Sequence, residues 1–351
     1  MTVEEARAID WSGERTHVLL NPRMPLEEQE RLERMARGAR LRSHIIVTTS
    51  GSSGALKLVA LSKDAVLASA GAVNQRLEAT AQDVWCAVLP AFHVGGLGIY
   101  ARAHLTGSRV VTMPWSPRTL ADADATLASL VPAQVHDLVN SGLPAPARLR
   151  AILVGGAAFH PDLEEKARAA GWPVLPSYGM SECASTIAVR DVLLPHIEAR
   201  VDEEFRLAFR GPSLFTGYIT EEGFSDPKVD GWFMSEDVGQ LEGRTLRVQG
   251  RSGDFIKIGG EAVDLARLDR VLESVRGGVD AVLVAAPHPR LGHVIQLVST
   301  RDATQVVERF NEKVLPYERI RATHLIDSIP RSTLGKLLRA ELTRRVAREE
   351  R

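Results

Sequence analysis

The most constraining feature of this sequence is a repeated step: a short apolar, β-branched run that ends abruptly on glycine, serine or proline. His44–Thr49 (HIIVTT) breaks into Ser50-Gly51-Ser52-Ser53-Gly54, and Trp85–Leu89 stops at Pro90. Arg150–Val154 (RAILV) runs into Gly155-Gly156, and Val174–Pro176 runs into Ser177-Tyr178-Gly179. Together with Arg109–Met113, these read as strands by propensity and punctuation. Helical periods lie between them. Ser62 is placed to N-cap a helix with Asp64 in its first turn, and Val66, Ala70, Val73 and Leu77 follow at i, i+4, i+7 and i+11. Residues 22–42 alternate charge around a thin stripe of Leu26, Leu32 and Met35, the pattern of a mostly solvated helix. Strands alternating with helices predict an α/β domain with mostly parallel sheets.

Beyond about residue 200 the texture changes to short strands and turns, and then to a smaller α+β unit. Leu265, Leu268, Val271, Leu272 and Val275 mark one of its helices; Asp280–Ala286 and Val294–Ser299 read as strands. A helix near 304–315 and a basic C-terminal helix complete it. The boundary is expected near Gly250–Asp254, giving domains 1–252 and 253–351. A length of 351 residues suits two domains, each large enough for its own core. The near balance of 43 Lys+Arg and 44 Asp+Glu lacks the basic footprint of a nucleic-acid binder. Cys86 and Cys183 show no CxxC or C…H spacing, which argues against a disulfide framework or structural zinc and for the cytosol. The acidic start MTVEEARAIDW has no secretory apolar core, and no apolar run approaches the ~18 residues of a membrane span. A cytoplasmic enzyme acting on small molecules is expected.

Several loops carry chemistry. In Thr48–Lys57 (TTSGSSGALK), small hydroxyl residues and glycines let backbone N–H groups converge on an anion, with Lys57 adding charge. The run is not GxxxxGK[ST], and the chain has no GxGxxG. Ser177-Tyr178-Gly179-Met180-Ser181-Glu182 offers an aromatic ring, a hydroxyl and a carboxylate able to hold Mg²⁺. A nucleophile elbow does not fit there, because Cys183 occupies the final glycine position. Asp237 in WFMSEDVG and Arg251 in GRSGD could clamp a ribose diol, and Lys336 lies beside Gly335 on a C-terminal turn. Singly, each also reads as an ordinary surface loop or ion pair. His288 and His293 lack a third ligand at metal spacing and read as solvated loop.

In this order, a phosphate loop, an aromatic–hydroxyl–acid segment, an Asp, a GRxxD hinge and a C-terminal GK resemble the adenylate-forming superfamily, which includes acyl-CoA synthetases. The likeness runs from about residue 44 to the end. The stretches LSKDAVLASAGAVNQRL…WCAVLPAFHVGGLGIYARAHLTGSRVV and AILVGGAAFHPDL…SYGMSECASTIA look more specifically like the o-succinylbenzoate–CoA ligases of menaquinone biosynthesis. The resemblance implies a large N-terminal ATP- and acyl-binding domain, and a small mobile C-terminal domain carrying a catalytic lysine. It implies AMP-forming chemistry: o-succinylbenzoate, ATP and CoA give o-succinylbenzoyl-CoA, AMP and pyrophosphate through an acyl-adenylate.

By the same resemblance, Thr49, Ser50, Gly51, Ser52, Ser53, Gly54 and Lys57 cradle the β- and γ-phosphates, and Glu182 holds Mg²⁺. Ser181 lies near the α-phosphate and Tyr178 stacks on adenine, within the nucleotide segment Ser177, Tyr178, Gly179, Met180. Gly155, Gly156 and Ala157 line the other side, and Asp237 with Arg251 holds the ribose. His93 sits at the acyl carboxylate, with Val94, Gly95, Ser185 and Thr186 lining the acyl pocket. Lys336 bridges carboxylate and nucleotide, and Gly253 with Asp254 forms the hinge.

Departures are visible. Ser53 and Leu56 stand where the family loop has threonine and proline, and Gly253 stands where the hinge has Asp or Lys; glycine permits rotation there with less guidance. No sequence feature names a cation for the second carboxylate of o-succinylbenzoate. The phosphate loop begins at Thr48, whereas typical relatives place a sizeable subdomain before it, and the segment from Glu182 to Asp237 is abbreviated. The chain therefore reads as a trimmed short form, with less wall around the acyl tunnel; a homodimer interface is one way to replace it. Alternatives are a CoA ligase for another aromatic or short acid, a stand-alone adenylation enzyme loading a carrier protein, and a degenerate non-enzymatic relative.

Overall fold

The computed structural model describes residues 6–50, 56–251, 255–258, 261–288, 290–330, 337 and 342. The chain divides into two units, Met1–Ser235 with Gly239–Val248, and Glu236–Val238 with Gln249–Arg351. In chain order the strands begin with β1 (His17–Leu19), β2 (His44–Ser50), β3 (Leu56–Ser62), β4 (Val84–Ala87), β5 (Arg109–Thr112), β6 (Leu127–Leu130), β7 (Ala151–Val154) and β8 (Val174–Met180). They continue with β9 (Ser185–Val189), β10 (Val192–Leu193), β11 (Glu198–Val201), β12 (Arg206–Arg210), β13 (Gly217–Thr220), β14 (Gly223–Ser225), β15 (Phe233–Glu242) and β16 (Thr245–Arg251). The helices used below are α1 (Leu26–Gly38), α2 (Lys63–Leu77) and α3 (Val94–Thr106).

An eleven-stranded sheet runs in the order β11-β12-β15-β16-β10-β9-β8-β7-β6-β4-β5. From β8 to β5 every pairing is parallel. β4, β6 and β7 read VWCA, LASL and AILV and are buried at every residue, as parallel strands covered on both faces must be. Beyond β8 the order changes: β8–β9, β9–β10 and β10–β16 are antiparallel. Parallel order thus gives way to antiparallel pairing at β8. A five-stranded sheet, β1-β2-β3-β13-β14, is antiparallel except at β1–β2.

The expected strand–loop–helix step at residues 44–62 contains an additional strand. β2 returns through β3 as an antiparallel hairpin, Thr49 opposite Lys57, before the helix begins. The helix start is as read: the Ser62 side chain accepts from the Ala65 N–H, and Val66, Ala70, Val73 and Leu77 are all buried. On α1 the charged surface holds, with Leu32 and Ala36 as its buried residues and Leu26 exposed.

In the second unit, β17 (Phe255–Ile258), β18 (Glu261–Asp264), β19 (Ala281–His288), β20 (Gly292–Ser299) and β21 (Ile320–Leu325) form a sheet ordered β18-β17-β20-β19, with β21 pairing β20. The helix Leu265–Arg276 buries Leu265, Leu268, Leu272 and Val275 against Leu283, Ile295, Leu297 and Phe310. The helix expected at 304–315 stops at Asn311. The basic C-terminal helix falls outside the described residues. Among the described residues no helix is long and apolar enough to cross a membrane.

Candidate active site

Backbone crowding shapes the turn that carries Glu182. The expected loop at Ser177–Met180 is in fact the second half of β8, bonded antiparallel to β9. A 3₁₀ turn, Ser181–Cys183, joins the two strands. The crossing is so tight that a Cβ on Gly179 would lie 1.8 Å from the Ser185 carbonyl oxygen. The chain enters β9 through consecutive left-handed residues, Ala184 at φ 55° and Ser185 at φ 110°. Strain of this kind concentrates at functional sites.

The Glu182 carbonyl accepts the Phe215 N–H at 2.8 Å, which fixes the turn against the segment leading into β13. From β13 the Tyr218 hydroxyl donates to Glu182 Oε1 at 2.8 Å. The Lys57 ammonium stands 5.2 Å from the centroid of the same ring. Lys57 of the β2–β3 hairpin and Glu182 are therefore gathered around one phenol. Among the described residues no cluster of three His, Cys, Asp or Glu could hold a metal. A lone half-buried carboxylate suits Mg²⁺ that keeps its other ligands as water and phosphate.

Gly155 and Ser177, expected to share a pocket, do meet. Gly155 donates its N–H to Leu130 O at 3.1 Å, and a Cβ there would be 2.8 Å from Ser177 Oγ. Ser177 itself donates to Val154 O at 3.0 Å. Gly156 takes φ +82°, and with Ala157 it is exposed. The half-buried ring of Tyr178 is tilted against Phe209 at 6.1 Å.

His93 is the N-cap residue of α3, its ring 4.6 Å from that of Phe92. Partial desolvation holds it below the usual histidine range. The carbonyl of His93 accepts from the N–H groups of Gly96 and Leu97, so Val94 and Gly95 form the first helical turn.

Arg102, on the same helix, was not found by sequence reasoning. It is 2% exposed, and its guanidinium donates to Ser129 Oγ at 3.2 Å and to Thr186 Oγ1 at 3.4 Å. It lies 5.3 Å from the Trp85 ring, while its carbonyl accepts from Asn74 Nδ2 at 2.9 Å. No carboxylate among the described residues faces it, and burial pushes its pKa down to about 10. The available signal was the single arginine in a mostly apolar helix, VGGLGIYARAHLT. Tyr218 was also missed; only its hydrogen bond gives it away.

Asp237 lies on β15, half-buried, and Arg251 ends β16. Gly51, Ser52, Ser53, Gly54, Gly253, Asp254 and Lys336 lie outside the described residues. His288 Nδ1 accepts from the Arg290 and Leu291 N–H groups, the geometry of a turn.

Comparison with known proteins finds relatives of this chain. The family model for AMP-binding enzymes matches residues 42–219. The chain is 28% identical over 326 residues to 2-succinylbenzoate–CoA ligase of Staphylococcus epidermidis, covering 85% of this chain and 69% of that protein. It is 29% identical over 335 residues to the probable 2-succinylbenzoate–CoA ligase of Mycobacterium tuberculosis, covering 87% and 85% respectively. Among solved structures, o-succinylbenzoate CoA synthetase of Bacillus subtilis in complex with its acyl-adenylate intermediate superposes with a TM-score of 0.75 at 25% identity, covering 85% of this chain and 68% of that one. The same synthetase in complex with ATP and magnesium ion gives 0.74 at 25% identity, covering 85% and 69%.

Proposed function

The chain belongs to the AMP-binding enzyme family, and on that premise we propose that it is an ATP-dependent o-succinylbenzoate–CoA ligase. The observation that carries the choice of acid is Arg102. A guanidinium buried, as this one is, without a counter-charge among the described residues costs several kcal/mol, a cost that an anionic ligand offsets. O-succinylbenzoate retains a second carboxylate while the first is activated. Thr186 and Ser185, on the strand facing Arg102, were expected to line the acyl pocket, and Thr186 accepts from the guanidinium.

In this reading the first half-reaction joins two anions: a carboxylate oxygen attacks the α-phosphorus of ATP, and pyrophosphate leaves. Oriented donors and cations offset that repulsion. The glycine- and serine-rich run from Thr49 to Gly54 and Lys57 hold the β- and γ-phosphates, and Ser181 faces the α-phosphate. Mg²⁺, when bound at Glu182, neutralises phosphate charge. Tyr178 and the Gly155–Ala157 segment enclose adenine, with Asp237 and Arg251 on the ribose. His93, at the N-cap of α3, meets the reacting carboxylate. Lys336 bridges acid and nucleotide, then withdraws as the second unit turns about Gly253 and Asp254, so that the CoA thiol can displace AMP. A homodimer and a cytosolic location belong to the same proposal.

Pyrophosphate release across a panel of acids, each with CoA, tests it. O-succinylbenzoate is expected to be the preferred acid and to yield its CoA thioester. Preference for a monocarboxylic acid overturns the choice of substrate, and adenylation without a CoA thioester assigns the acceptor to a carrier protein.

A further inference from the structure

Separate stretches of chain meet at Tyr218. β13 pairs antiparallel with β3, and Tyr218 stands opposite Val59, two residues along from Lys57. Residues two apart share a face of a strand, so Lys57 is the diagonal neighbour of Tyr218 and reaches over its ring at 5.2 Å. On the hydroxyl side, the phenol donates to Glu182 Oε1 at 2.8 Å. Phe215 packs edge-on against the ring at 4.8 Å and holds it in place.

A cation and a carboxylate this close attract one another, and their direct ion pair would occupy both. The phenol instead engages the cation through its π face and the carboxylate through its O–H. Lys57 is left able to meet phosphate, and Glu182 keeps an oxygen for a metal.

We propose that Tyr218 is a positioning residue that orients Glu182 for the divalent cation of Mg–ATP and holds Lys57 apart from it. The inference rests on the reading above, in which Glu182 meets the metal and Lys57 the phosphates.

Calorimetric titration of the full-length protein with ATP, once with MgCl₂ and once with EDTA, tests it. The ratio of the two Kd values reads the contribution of the metal. Tyr218→Phe keeps the ring between Lys57 and Glu182 but removes the hydroxyl; the ratio is expected to fall about tenfold with the EDTA value unchanged. Tyr218→Ala also removes the spacer, so affinity in EDTA falls as Glu182 captures Lys57. Adding Glu182→Gln to Tyr218→Ala then restores it. A Tyr218→Phe protein with the wild-type ratio overturns the inference, and so does a Tyr218→Ala protein that folds and binds ATP normally in EDTA. Should Tyr218→Ala fail to fold, Tyr218→Phe alone decides, because its ring still packs on Phe215. Glu182→Gln separates the two levels. If it lowers the ratio while Tyr218→Phe does not, only the role of Tyr218 fails; if it leaves the ratio unchanged, the metal assignment fails and takes this inference with it.

Discussion

Arg150 holds Asp83 in a two-pronged grip, Nε to Oδ1 at 3.0 Å and Nη2 to Oδ2 at 2.8 Å. The same guanidinium donates to Leu77 O at 2.6 Å, so the pair ties the end of α2 to the strands β4 and β7. Thr126 Oγ1 and the Thr80 N–H add further bonds to the carboxylate.

Acid stability should report this clip. Burial alone would raise the Asp83 pKa; the bonds from Arg150, Thr126 and Thr80 overcome it and hold the group at about 2. Because the folded value lies below the unfolded one, the stabilisation is complete above about pH 4 and is lost as pH falls toward 2. It amounts to about 2 kcal/mol. Asp83→Asn is expected to lower the melting temperature at pH 7 and to flatten its fall between pH 4 and 2, read by thermal denaturation across that range.

Arg102→Met should separate activity from stability. Removing a buried cation that has no carboxylate partner among the described residues spares the fold its desolvation cost, so the variant is expected to melt at or above the wild-type temperature. Steady-state kinetics with o-succinylbenzoate should show kcat/KM lowered by about 100-fold, the scale for removing one side of a buried charge pair. A destabilised variant with normal kinetics would assign Arg102 to the core alone.

The crossing of β8 and β9 tolerates no side chain at Gly179. Gly179→Ala drives a methyl into the Ser185 carbonyl and should cost about 3 kcal/mol, with ATP binding weakened as the Glu182 turn shifts. Ser185→Gly is expected to act in the opposite direction on stability, relieving φ 110° by about 1 kcal/mol. Chemical denaturation of the two variants reads both signs.

Lys336→Ala should cripple adenylation yet spare thioester formation from preformed acyl-adenylate, because the role proposed for the lysine lies in the first half-reaction alone. The two halves are assayed separately as pyrophosphate release and as thioester yield from the synthetic adenylate. Equal loss of both would remove Lys336 from the role proposed for it.

Local patterns in the sequence were legible. The Ser62 cap, the buried face of α2 and the apolar stripe of the helix at Leu265–Arg276 follow from spacing alone. The β3 strand was not seen, because its centre, Leu58-Val59-Ala60-Leu61, is apolar and buried at every residue and so does not alternate. The strand character of Ser177–Met180 was hidden because small polar residues read as turn, whereas pairing with β9 decides their conformation. Arg102 and Tyr218 were illegible for a different reason: Arg102 contacts a partner 84 residues away and Tyr218 one 36 away. No local pattern encodes such a meeting.

The hydroxyls beside Arg102 have a consequence of their own. Ser129 and Thr186 each accept from the guanidinium through one lone pair, and each keeps its own O–H to donate. Arginine and hydroxyls together then offer more donors than acceptors. Such a cluster favours a group rich in lone pairs over one that brings mainly N–H donors. On the role proposed for Arg102, an ionised carboxylate or tetrazole is expected to bind there more tightly than the corresponding ammonium.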